Sequence, residues 1–196
     1  MVVRIGCVVE GHGERESAPI LIRRIAAEFD PIIEVSVPHP VRMARSKLLK
    51  PGELERAIEL AATNAGPIGG ILVLLDSDDD CPAELGPKLW QRVRAARGDM
   101  PSAVVLAHRE FESWFLASAR SLRGQRGYPE DMQSPPAPET IRGAKEWLAA
   151  RSRYAPSVDQ AALTSRFDLK LARSAPSFDR CYREVTRLLA ALRTSS

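Results

Sequence analysis

Apolar residues fill most of positions 2–9 (VVRIGCVV), and the run stops at Glu10-Gly11. A short β-branched run of this kind predicts a strand. From 14 to 29 the spacing changes. Ile20, Leu21, Ile25 and Phe29 separate from Arg23 and Arg24, as on an amphipathic helix. Residues 32–37 (IIEVSV) alternate and run into Pro38-His39-Pro40, a strand followed by a break. Pro51-Gly52 open a second helix with Leu54, Ala57, Ile58 and Ala61 along one stripe, and Gly66-Pro67 close it. Residues 70–75 (GILVLL) are the most apolar run, the pattern of a strand covered on both faces. That run ends abruptly at Asp76-Ser77-Asp78-Asp79-Asp80. Pro82 suits the first turn of a helix, which then extends to about Arg97. Residues 103–107 (AVVLA) read as another buried strand, followed by His108-Arg109-Glu110-Phe111-Glu112 and a helix through Arg120.

Strand and helix thus alternate four times over roughly 120 residues, which predicts a largely parallel sheet covered on both faces, an α/β fold of the Rossmann-like kind. Residues 121–138 are rich in Gly, Pro and Ser, with Pro135-Pro136-Ala137-Pro138, and read as a loop or lid. Residues 139–193 read as helical and end in an amphipathic stretch from Phe178 to Leu192. The expected organisation is an α/β core over 1–120 and a loop plus helical extension over 121–196, packed as one compact domain.

Composition narrows the class. The chain has 196 residues, 44% hydrophobic and 27% charged, which excludes a disordered protein. No apolar run approaches the roughly 18–20 residues of a membrane span. The N-terminal run turns acidic at Glu10 without a small-residue cleavage site, so no signal peptide is expected. Cys7, Cys81 and Cys181 are odd in number and far apart; they suggest neither a disulfide framework nor a metal motif, and fit a reducing cytoplasm. The net charge of +3 is uneven: residues 1–96 balance to −2 and residues 97–196 to +5. Of the 28 basic residues 23 are arginine, which grips phosphate bidentately and suits a nucleic-acid partner; a GC-rich coding sequence gives the same bias.

In open parallel sheets ligands bind beyond the carboxyl ends of the strands. Glu10 and, a turn later, Glu14 follow the first strand; Asp76, Asp78, Asp79 and Asp80 follow the third; Glu110 and Glu112 follow the fourth. Two carboxylates about 4 Å apart repel by about 4 kcal/mol at an effective dielectric near 20. A divalent cation reverses the sign, and hard oxygen donors without a Cys/His set point to Mg²⁺ or Mn²⁺. In an extended run Asp76 and Asp78 face the same side. Asp79 and Asp80 suit the N-cap or first turn of the next helix instead. Gly11 leaves the turn beside Glu10 uncrowded, and Gly13 eases entry into the helix. Among the histidines, His108 lies nearest the acids, but a ring packed at the sheet edge is the reading preferred. His12 and His39 carry no stronger signal. Trp90, Trp114 and Trp147 fall on apolar helix faces and are expected in the core.

The order of these acids resembles the TOPRIM domain, with Glu10 after the first strand and Asp76-Ser77-Asp78 after a later one. It is most similar to TOPRIM-like proteins of the OLD-nuclease type and to small bacterial proteins of the DUF4276 kind. These share a Glu-Gly-x-x-Glu opening (Glu10-Gly11-His12-Gly13-Glu14), an Arg-Glu-x-Glu-x-Trp segment (Arg109 to Trp114) and a late Ala-Arg-Ser-x-Pro-Ser-Phe-like piece (Ala172 to Phe178). The resemblance implies Mg²⁺- or Mn²⁺-dependent phosphodiester cleavage on nucleic acid, with phage defence as a setting. Glu10, Glu14, Asp76, Asp78 and Glu112 would be catalytic. Glu10, Asp76, Asp78, Asp80 and Glu110 would be metal ligands. Arg109, Lys170 and Arg173 would hold phosphate. OLD-type enzymes also use a downstream lysine, and Lys145 and Lys170 are the two that follow Lys88. No Gly-x-x-x-x-Gly-Lys-Ser/Thr motif is present, so an ATPase, or another defence-system protein, would be a separate partner.

Three other readings compete. A non-catalytic metal-binding sensor or partner subunit would use the helical C-terminal part for docking. A haloacid-dehalogenase-like phosphatase also places Asp-x-Asp after a strand, with Asp76 as nucleophile, but its strand comes first in the fold and no later Gly-Asp-x-x-x-Asp follows. Gly11-His12-Gly13 with Asp30 some twenty residues on suggests dinucleotide binding, yet Glu16 replaces the third glycine and Glu10 and Glu14 would repel a pyrophosphate.

Overall fold

The computed structural model describes residues 2–194. Among them, β1 (Val2–Val9) leads into α1 (His12–Phe29), and β2 (Glu34–Ser36) and β3 (Val41–Arg42) follow. Next come α2 (Arg45–Leu48), α3 (Glu53–Ala65), β4 (Gly70–Asp76), α4 (Pro82–Ala96) and β5 (Ser102–Ala107). The α-helices that follow are α5 (Ser113–Ala117), α6 (Ala144–Ala149), α7 (Pro156–Thr164), α8 (Leu169–Ala172) and α9 (Pro176–Thr194). The strands form a parallel sheet in the order β2-β1-β4-β5, with β3 also paired to β1.

β2 and β3 run along the same strand with a shifted register. Val2 stands opposite Glu34, an offset of 32, and Val8 opposite Val41, an offset of 33. The extra residue falls in the Pro38-His39-Pro40 break, where two prolines bring no N–H to the ladder. The alternating run at 32–37 therefore yields only a three-residue strand.

β4 is buried along its whole length. Leu72 and Leu74 face one cluster with α1 and α9; Ile71, Val73 and Leu75 face another with α3 and α4. This is the doubly covered strand that the unbroken apolar run predicts. Gly6 of β1 is required by packing: a Cβ there would strike the backbone carbonyl of Ala61 in α3.

The helix expected through Arg120 ends at Ala117 and gives way to a 3-10 turn, Ala119–Leu122. Ser118 explains the change, because its hydroxyl donates back to the carbonyls of Trp114 and Phe115. Residues 121–138 hold little regular structure, as expected, yet they are fastened down. Tyr128 and Met132 are buried, Arg123 donates to the Met132 carbonyl, and Ser134 to that of Ala117. Contacts among Phe111, Trp114, Phe115, Phe167 and Phe178, with ring centroids 4.6–5.5 Å apart, tie α5, α9 and the residues before α8 into the core of the sheet. Trp114 is fully buried as expected, Trp147 is half-buried under Arg151, and Trp90 stands 44% exposed on α4, contrary to expectation. No helix among the described residues is long and apolar enough to cross a membrane.

Candidate active site

The strand order makes β1, β4 and β5 neighbours, so the acids that follow them meet at one edge of the sheet. Glu10 leaves the end of β1, and Glu14 lies in the first turn of α1, buried. Gln160 of α7 donates to Glu14 Oε1 at 3.0 Å. Gly13 makes this contact possible, since a Cβ there would occupy the position of the Gln160 side chain. Its role is thus room for α7 rather than helix entry.

Asp76 ends β4 and is buried, and its Oδ1 accepts the Phe111 backbone N–H at 2.8 Å. Around it the tails of β4 and β5 are stitched together: Ser77 donates to the Ala107 carbonyl, Arg109 N–H to Ser77 Oγ, and Asp78 N–H to the Arg109 carbonyl. Asp78 and Arg109 both take positive φ, 49° and 64°, as the chain turns away from the sheet. Glu112 has no exposed surface, and its Oε1 accepts the Tyr154 hydroxyl at 2.8 Å.

The centre of the group is Lys145 of α6. Its Nζ stands 3.7 Å from Asp76 Oδ2 and 3.7 Å from Glu112 Oε2. Burial holds the Asp76 carboxyl well above the usual range, and the charges of Glu112 and Glu14 add to it. Burial pushes Glu112 up to about 7, against the pull of Lys145 and the Tyr154 hydrogen bond. Glu10 is raised by burial and by the nearby Asp78 and Glu14, with Arg45 and Lys145 opposing. Burial alone would lower Lys145; Glu112, Asp76 and Glu110 hold it above its usual value instead. A cleft of about 320 Å³ opens beside Glu10, Glu14, Asp76 and Lys145.

The other expected residues have partners of their own. Glu110 Oε2 accepts the Lys145 backbone N–H at 3.0 Å, satisfying one of the first donors of α6. Arg45 of α2 pairs with Asp80 and stands 3.4 Å from Asp78 Oδ2. Asp80 does not cap α4, whose N-cap is Cys81 with no side-chain bond. Exposed Asp79 holds Arg109 at 3.3 Å and Arg142 at 2.7 Å. Arg173 is not brought to the cluster: it pairs with Asp179 and lies over Tyr182, whose hydroxyl reaches Glu28. Glu28 is fourteen residues along α1 from Glu14, about 20 Å away. Lys170 is exposed on α8 and makes no ion pair with the cluster. The downstream lysine that reaches the acids is Lys145. Tyr154, Gln160 and Arg45 join the site without having been singled out in the sequence.

The family model described as a domain of unknown function, DUF4276, matches residues 9–186. The chain belongs to this family. The DUF4276 match begins one residue before Glu10 and ends within α9, so it takes in every acid of the cluster together with Lys145, Tyr154 and Gln160. Searches of the curated proteins and of the solved structures find no match.

Among the described residues, no three acidic, imidazole or thiol groups are gathered closely enough to hold a metal ion as they stand. The donor set nevertheless fits one. Glu10 Oε2 and Glu112 Oε2 are buried without a hydrogen-bond partner. The ligating atoms are carboxylate oxygens, and the charge they would carry exceeds what Lys145 balances.

Proposed function

We propose that this DUF4276 chain is a TOPRIM-like, Mg²⁺- or Mn²⁺-dependent protein that cleaves phosphodiester bonds in nucleic acid. The supporting observation is that buried Asp76 and Glu112, after β4 and β5, both stand against Lys145, with half-buried Glu10 after the neighbouring β1 in the same cleft, and that Glu10 Oε2 and Glu112 Oε2 accept no hydrogen bond. Such a group destabilises the apo fold, and its use lies in a bound cation. Glu10, Asp76 and Asp78 would hold the ion, with Glu14 or Glu112 completing the set. A divalent ion there would polarise a phosphate and lower the pKa of a water. Glu112, poised near neutrality, suits a general base, with Tyr154 fixing its orientation. Lys145 counters negative charge beside the scissile group, and Arg109 and Arg142, now shared by Asp79, lie at the rim to take further phosphates.

The test is cleavage of labelled single- and double-stranded DNA and RNA with Mg²⁺ or Mn²⁺. Wild type should cut at least one substrate, and Asp76→Asn should not. Retained cleavage in Asp76→Asn would refute the assignment. One observation favours a second reading. Lys145 already balances Asp76 and Glu112, which suits a non-catalytic cation-binding subunit that waits for a partner. Cation binding without cleavage of any of these substrates would select it.

A further inference from the structure

Gln160 is fully buried on α7, where an apolar side chain would pack at less cost. Leu163, one turn on, does so and belongs to the core shared with α1. One hydrogen bond engages the Gln160 amide: Nε2 donates to Glu14 Oε1 at 3.0 Å. Its own Oε1 is buried and accepts none. The partner fixes the sense of the amide, since the reverse would set its oxygen against a carboxylate oxygen. A buried amide with an unpaired acceptor costs free energy. What it secures in return is the direction of the Glu14 carboxylate.

Two glycines serve the same carboxylate. At Gly13 a Cβ would overlap Gln160 Oε1, and at Gly11 it would strike Glu14 Oε2. Glu14 is therefore held from both sides. Gln160 engages Oε1, and Oε2 lies over Gly11, the residue after Glu10. Glu10, Glu14, Asp76 and Gln160 all line the cleft of about 320 Å³. The helix that carries Gln160 has an anchor apart from the acids. Asp159 accepts the Ala155 N–H at 2.8 Å and the Arg126 Nε–H at 2.7 Å, which ties α7 to the segment 121–138.

We propose that Gln160 is a positioning residue of the cation site: it fixes the Glu14 carboxylate with one oxygen engaged and the other left over Gly11 at the cleft. This rests on the reading of the acids as a divalent-cation site, and it adds a residue of the helical C-terminal half that touches no ion. A carboxylate fixed beforehand loses less freedom when an ion binds. Removing such a support lowers metal affinity by about 10–100-fold. The stretch from Glu10 to Glu14 gains a physical reason as well. Gly11 and Gly13 leave room for the Glu14 carboxylate and for the amide that holds it.

The experiment is a double-mutant cycle on the full chain, read as Mn²⁺ affinity with no substrate present. Its members are wild type, Gln160→Met, Glu14→Gln and the double variant. Methionine matches glutamine in shape but cannot donate. Gln160→Met should weaken Mn²⁺ binding at least about tenfold. In the Glu14→Gln background the same change should alter affinity by less than about twofold, because the carboxylate it orients is gone. Gly13→Ala reaches the same end by displacing the amide. Alanine favours the helix, so this variant should stay folded and bind Mn²⁺ more weakly; should Gln160→Met fail to fold, Gly13→Ala takes its place in the cycle. In ¹⁵N NMR of the wild type, the Gln160 side-chain amide should shift on addition of Mg²⁺ while those of exposed Gln91 and Gln133 stay in place. Undiminished Mn²⁺ binding by Gln160→Met and Gly13→Ala would overturn the proposal and leave the cation site standing. An equal loss in both Glu14 backgrounds would also overturn it, since Gln160 would then act through packing. No Mn²⁺ binding by wild type would remove the cation site and this inference together.

Discussion

Asp76 Oδ1 accepts the backbone N–H of Phe111 at 2.8 Å, although 35 residues separate the two. The bond fastens the segment that carries Glu110 and Glu112 to the end of β4, so one carboxylate both shapes the site and contributes charge to it. Two substitutions separate these roles. Asn keeps an oxygen acceptor for Phe111, so Asp76→Asn should melt close to wild type while losing divalent-cation binding. Asp76→Ala leaves a buried N–H unpaired and should cost about 1–3 kcal/mol more, read by urea denaturation. Equal stability of the two variants would refute the structural role.

Lys145 is the cation in contact with Asp76 and Glu112. Lys145→Met should destabilise the metal-free protein at pH 8, by less than the about 3–5 kcal/mol of a fully buried broken pair, because its side chain is 36% exposed. At pH 5 the loss should be smaller, since the carboxyls then carry protons. A pH-independent loss would show that Lys145 acts through packing alone.

The raised carboxyls fix the sign of a pH dependence. Asp76, Glu112 and Glu10 all titrate above their unfolded values. Between about pH 4.5 and about 7 the folded chain therefore binds more protons than the unfolded chain, and stability falls as pH rises. Glu55, Asp99 and Asp179 are lowered by Arg92, Arg97 and Arg173 respectively; their opposite contribution is complete below this window. In chelator the melting temperature should drop from pH 5 to pH 8. A rise over this interval would contradict the buried cluster.

The three thiols report on the fold independently. Burial pushes Cys7 up to about 12 and raises Cys181 as well, whereas Cys81 is exposed at the start of α4. A thiol reagent at pH 8 should label Cys81 rapidly and the other two only after unfolding. Fast labelling of Cys7 would mean that β1 is not a central strand.

The βα alternation was legible because β1, β4 and β5 are short apolar runs and α3 and α9 keep clean stripes. Glu10, Asp76 and Glu112 were legible for a related reason: in a parallel sheet, position after a strand is position at the site. Tyr154 and Gln160 were not, and Lys145 was only one of two downstream lysines, because Lys145 and Gln160 lie on the short helices α6 and α7 and Tyr154 on the connection between them, and only tertiary packing brings this part of the chain to the strand ends. Arg45 was hidden in a four-residue helix that no periodicity marks. Lys170 and Arg173 drew attention by residue type and motif, but Arg173 is held toward the opposite end of α1 from Glu14 and Lys170 pairs with none of the acids. Trp90 fitted an apolar helix face that the fold leaves half open.

The central claim is that the acids at the ends of β1, β4 and β5 form a divalent-cation site. Electron paramagnetic resonance of free Mn²⁺, titrated with metal-free wild type and with Asp76→Asn, tests it most directly. The account predicts loss of the free Mn²⁺ signal with wild type, reversal by excess Mg²⁺, and at least about a tenfold weaker effect with Asp76→Asn. An equal effect of the two proteins, or none with wild type, would contradict it.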